Sequence, residues 1–175
     1  MNDWTLDDLN EYGFEGFFKI SDLRRDITKI PLERGVYMII NPDKAKKFIE
    51  EGTGGYYNGK NPNVTLGILE DNWVYGSNIL YIGQAGGIIK GKWSESKLRN
   101  RISAYFRFGQ GKPVSHQGGR YIWQIADNQS LIVCWKVLPD KIKDPCQEEY
   151  ELIARFKAFY SKRPFANLND GSRCK

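Results

Sequence analysis

At 175 residues, with 41% apolar and 27% charged side chains, the chain has the size and composition of one ordinary globular domain. It can bury a core without disulfides or a structural metal, and the collagen-like and disordered classes are excluded. The net charge of +5 is concentrated between residues 90 and 120, where eight basic residues face one acidic, a local +7 that points to a polyanionic partner.

Residues 1–33 carry eight acids and four bases and read as an N-terminal arm with one short helix, ending at Ile30-Pro31. GVYMII (35–40) is a β-branched and aromatic run that predicts a strand. Asn41-Pro42 suits a helix start, so DKAKKFIEE reads as a short helix closed by Gly52. Residues 52–63 are turn-formers, and VTLGIL with WVYG reads as a small hairpin. NILYIG (78–83) predicts a second strand, followed by a long basic loop over 84–96. KLRNRISAYFRFG (97–109) places Leu98, Ile102, Tyr105 and Phe106 near helical spacing and predicts a helix ended by Gly109. YIWQIA and SLIVCWKVL read as further strands. Pro145 suits the first turn of a last helix, QEEYELIARFKAFYSKR, which Pro164 stops. No internal repeat appears.

Three cysteines (Cys134, Cys146, Cys174) without CxxC or Cys/His spacing argue against a disulfide framework or zinc ribbon and fit a reducing compartment. The acidic N-terminus lacks the apolar run of a signal peptide, and no stretch approaches the roughly 20 apolar residues of a membrane span. The expectation is a soluble cytoplasmic protein.

Four features stand in order along this scaffold: GVY (35–37), YIG (81–83), a helix with Arg101 and Tyr105 one turn apart, and a final helix opening on Glu148-Glu149 and followed by PFAN (164–167). Singly, the tyrosines would be core aromatics, Arg101 a surface residue, the acids complements to a helix dipole and Asn167 a loop residue. Together they resemble the GIY-YIG nuclease family. YIGQAGG, an insertion and KLRNRISAYF are similar to the family's segment in the incision subunit of bacterial nucleotide-excision repair. EYELIARF…RPFAN resembles the family's ending. The resemblance covers about residues 34–168 and leaves 169–175 as a tail.

It implies an α/β module with a small central antiparallel sheet of about three strands, flanked by helices and carrying insertions. It also implies a metal-dependent endonuclease acting on DNA phosphodiesters, of restriction, repair or mobile-element type. Tyr37 and Tyr81 would be the motif tyrosines, Tyr37 placing the attacking water or taking its proton. Arg101 would bind the scissile phosphate, with Tyr105 in support. Glu149, or else its neighbour Glu148, would hold one Mg²⁺ or Mn²⁺ ion. Asn167 would add order around the site, and Gly83 would let the backbone turn closely beneath it. Lys90, Lys92, Lys97, Arg99, Arg107, Lys112, His116 and Arg120 are the candidate DNA contacts.

These residue types suit the chemistry. A guanidinium matches the charge building on phosphoryl oxygens, and a hard cation on one carboxylate polarises the phosphate. Tyrosine, with a free pKa near 10, needs positive neighbours or a route for its proton.

The chain departs from the family pattern in an insertion of 38 residues (41–78), in a loop before Arg101 longer by roughly ten residues, and in a longer last helix. The insertions are candidate recognition loops. One domain offers one site, so double-strand cleavage would need a homodimer or successive nicks, and a partner protein is another source of specificity. Two rival chemistries are weak. Residues 86–92 match a P-loop except that Trp93 replaces the metal-binding Ser or Thr, and Asp43, Glu95 and Lys97 do not share strands as a two-carboxylate nuclease site requires. The alternative class is a non-catalytic nucleic-acid-binding module on the same fold.

Overall fold

The computed structural model describes residues 3–114, 120–139 and 143–171. Its frame is a four-stranded antiparallel sheet in the order β1-β6-β2-β3, built from β1 (Glu15–Lys19), β2 (Gly35–Ile40), β3 (Ile79–Ala85) and β6 (Ile132–Val137). The expected three strands become four because the segment read as an N-terminal arm supplies β1 at one edge. That segment also forms α1 (Leu6–Glu11), started by a Thr5–Asp8 capping box, and α2 (Ile20–Arg25).

Strand β2 is buried along its whole length. Its alternating side chains feed two cores. Tyr37 and Ile39 join α4 (Leu98–Gly109) on one face, whereas Val36, Met38 and Ile40 join Leu152, Ile153 and Phe156 of α5 (Pro145–Tyr160) on the other. A strand covered on both sides explains why GVYMII lacks a polar alternate.

Both main helices are anchored at their N-termini. Helix α5 starts with Pro145 behind an Asp144 cap that accepts from Cys146 N–H, and it ends at Tyr160, three residues short of the expected Arg163, with Ser161 capping it in the left-handed region. Helix α4 has no side-chain cap. Instead the Leu98 N–H donates to Glu33 O at 2.8 Å and the Arg99 guanidinium donates to Ile30 O and Thr28 O, so the N-terminal segment closes its first turn.

Three expected elements differ. Residues 43–51 are not helical: Phe48 bridges to Ile125 and its ring stacks on Phe165 and meets Trp73 edge-on, contacts that outweigh the helix preference of a lysine-rich stretch. The hairpin expected after residue 63 is α3 (Leu66–Asn72), whose N-cap Thr65 accepts from Ile68 N–H. YIWQIA is a 3₁₀ turn at Ile122–Gln124 rather than a strand. The loop 84–96 contains a two-stranded hairpin, β4 (Ile88–Ile89) and β5 (Lys92–Trp93).

The insertion leaves β2 and re-enters β3 through a neck closed by Asn41 N–H on Asn78 O at 2.8 Å. Its first half is organised by Gln124, which is fully buried. The Gln124 amide nitrogen donates to Ile49 O, Glu50 O and Val64 O, and its oxygen accepts from Val64 N–H. Gln124→Ala strands these backbone groups inside, and a loss of about 3 kcal/mol is expected, read as a lower urea midpoint at unchanged slope.

Candidate active site

The register of β2 on β3 decides the site. Tyr37 lies opposite Gly83 and Ile39 opposite Tyr81, so both phenols stand on the same sheet face, diagonal to one another. Their ring centroids are 5.9 Å apart. A Cβ on Gly83 would come within 2.7 Å of both rings, so only glycine leaves room for the pair. Tyr105, on α4, stacks parallel to Tyr81 at 6.5 Å and packs against Trp123 at 5.0 Å. Arg101, one turn earlier on the same helix face, reaches the Tyr37 oxygen and keeps an exposed side.

The phenol pair is asymmetric. Burial raises both pKa values, that of Tyr81 well above the ordinary range. Tyr81 donates to the Tyr37 oxygen, as does Arg101, so Tyr37 is the member whose anion is better supported. Loss of solvation pushes the carboxyl of Glu149, half-buried near the start of α5, up to about 7 against the opposing pull of the Arg101 charge. Glu148 faces elsewhere. It is fully buried and paired with Lys136 at 3.3 Å and with Lys143, which leaves Glu149 as the acid that faces the tyrosines and Arg101.

Asn167 does not face this cluster as an isolated polar group. Its Oδ1 accepts from Ile82 N–H at 2.9 Å and its Nδ2 donates to Ile82 O at 2.8 Å, while Ala166 N–H donates to Leu80 O. Residues 166–167 thereby line the open edge of β3 and fix the strand that carries Tyr81 and Gly83.

Beside Arg101 opens a small cavity of ≈ 110 Å³ lined also by Gln84, Gly86, Ser94 and Ser96. Ser94 and Ser96 belong to no motif in the sequence, although Gly86-Gly87 and a serine-rich turn mark a tight loop beside the site. Asp144 ties that loop to α5 by accepting from Ile88 N–H as well as Cys146 N–H.

The basic residues do not form one surface. Lys90 and Lys92 are exposed on the β4–β5 hairpin, and Arg107 and Lys112 are exposed near the end of α4. Lys97 is half-buried at the start of α4, four residues before Arg101. Arg99, half-buried, donates to Ile30 O and Thr28 O. Arg120 sits by Tyr121 at a separate recess. His116 lies outside the described residues. No family model matches the chain, and no curated protein or solved structure matches it.

Two outcomes are expected. Gly83→Ala should push the phenols apart and raise the Tyr37–Tyr81 separation, visible as altered near-ultraviolet circular dichroism with far-ultraviolet signal retained. For Glu149, the folded state holds a proton that the unfolded chain releases above about 4.5. Its stabilising contribution is therefore full below pH 4.5 and lost as pH rises through about 7. Relative to Glu149→Gln, metal-free wild type should lose about 3 kcal/mol across that window, measured by urea midpoints at several pH values.

Proposed function

We propose that the protein is a metal-dependent endonuclease that hydrolyses DNA phosphodiesters, of the GIY-YIG kind. The observation that carries the reading is the mutual interaction of Tyr37, Tyr81, Arg101 and Glu149, brought together from four separate elements, with a small cavity opening beside Arg101. A structural cluster has no need to hold an exposed guanidinium against a phenol pair beside a carboxylate that is poorly solvated.

In this reading the scissile phosphate sits against Arg101, whose permanent charge meets the negative charge developing on the phosphoryl oxygens. Ser94, Ser96 and Gln84 provide neutral hydrogen-bonding groups around the same cavity. Tyr37 is fully buried, so the attacking water must enter beside Arg101 to reach its oxygen, which Tyr81 and Arg101 hold in place. Uptake of the water's proton requires the Tyr37 phenolate, and Arg101 exerts the strongest pull toward that form. The water oxygen bonds to phosphorus, the opposite P–O bond breaks, and the released oxygen takes up a proton from solvent. Tyr105 braces Tyr81, and Asn167 fixes the strand beneath them.

Glu149 supplies one carboxylate oxygen donor set, which suits a single Mg²⁺ or Mn²⁺ ion taking its other ligands from water and phosphate. Bound there, the ion would supply Lewis-acid stabilisation of the phosphate and leaving oxygen. Exposed Lys90 and Lys92 and half-buried Lys97 flank the cavity in sequence and suit the DNA backbone. Among the described residues no helix is long and apolar enough to cross a membrane.

Supercoiled plasmid should be nicked or linearised with Mg²⁺ or Mn²⁺ and left intact with chelator. Arg101→Ala and Glu149→Ala should each slow cutting by roughly 100-fold or more, with DNA retention by Glu149→Ala in a gel-shift assay. Uncut plasmid with either metal, or undiminished cutting by Glu149→Ala, overturns the assignment. DNA retention without any cutting by the wild type would establish the binding-module alternative.

A further inference from the structure

We propose that a second recess, between the 41–78 insertion and the C-terminal end of α4, receives one unstacked nucleobase of the substrate strand. The inference rests on reading the chain as a nucleic-acid enzyme. The recess has a volume of ≈ 240 Å³, larger than the cavity beside Arg101. Phe108 and Pro62 supply its apolar wall, Tyr57 a half-exposed ring, and Asn61, Lys60 and Arg120 its polar groups. Every charged residue lining it is a cation. Aromatic faces take the π-face of any base, an amide can match a base edge, and cations meet the attached phosphate.

The recess is preorganised. Gly55 N–H donates to Phe108 O at 2.8 Å, and a Cβ at Gly55 would lie 2.0 Å from Lys112 O, so the loop lies directly on the end of α4. Asn63 Oδ1 accepts from Gly52 N–H, and Asn61 Oδ1 accepts from Asn63 N–H. Gln124 fixes both ends of this loop from below. The Arg120 guanidinium lies over the Tyr121 ring at 5.3 Å, which holds this cation at the edge of the recess.

Position ties the recess to the chemistry. Phe108 follows Arg101 by seven residues, two helical turns, on the same face of α4. The separation along the axis is about 10 Å, close to three stacked nucleotide steps of about 3.4 Å each. A strand whose phosphate rests on Arg101 would present a base a few steps away to Phe108.

The test is a metal-free titration of isotopically labelled protein with dAMP, dGMP, dCMP and dTMP, with inorganic phosphate and deoxyribose 5-phosphate alongside, followed by amide chemical shifts. At least one nucleotide should shift Gly55 and Asn61 where the two base-free probes do not. Tyr57→Ala and Arg120→Gln, changes at partly exposed side chains, should each weaken that binding at least tenfold with the remaining spectrum preserved. Equal shifts from phosphate alone would reduce the recess to an anion patch and overturn the proposal, as would shifts absent from Gly55 and Asn61. No cleavage enters the measurement. Nucleotide binding here with inert plasmid would remove the nuclease reading and keep the recess, and cutting without such binding would do the reverse.

Discussion

Two phenols can share one sheet face at close range only if the position between them is empty. Gly83 provides that vacancy: it lies across from Tyr37 and two residues beyond Tyr81, where any Cβ would strike both rings. The rest of the site depends on this gap. With the rings side by side, Tyr81 can donate to Tyr37, Arg101 can reach the same oxygen, and Tyr105 can stack on the outer face of Tyr81. The register of β2 on β3 is therefore a chemical constraint as much as a structural one, since a slip of one residue would send the phenols to opposite faces.

The register is secured from outside the sheet. Strand β3 is an edge strand, with backbone groups that would otherwise seek another partner. Asn167 meets Ile82 with one acceptor and one donor, a pairing that the symmetrical oxygens of an aspartate could not reproduce. At the other side, β1 covers β6, and Arg99 joins the N-terminal segment to the helix that bears Arg101. That guanidinium thus ties the frame together.

What the sequence revealed and concealed follows from which forces are local. GVYMII and NILYIG announced themselves because buried central strands need unbroken apolar runs, and α4 and α5 because of their apolar spacing and Pro145. Strand β1 was hidden because an irregularity between Glu15 and Phe18, with Gly16 and Phe17 both at positive φ, breaks the alternation that marks a strand. Residues 43–51 misled because their lysines favour a helix, whereas Phe48 is claimed by Trp73 and Phe165 from distant parts of the chain. The cluster residues were legible by type and order. The roles of Asn167, Gln124 and Arg99 were not, because each acts on backbone groups that only the fold brings near.

The neck at Asn41 and Asn78 has a broader meaning. One backbone hydrogen bond closes the insertion where it leaves the sheet, and beyond it Phe48 and Trp73 pack into the core while Tyr56, Tyr57 and Tyr75 stay exposed. Lengthening or exchanging such a loop costs conformational entropy that grows only with the logarithm of its length. The exposed turns of the insertion can in this way change while the sheet and its phenol pair stay fixed, so surface and frame are free to evolve on separate clocks.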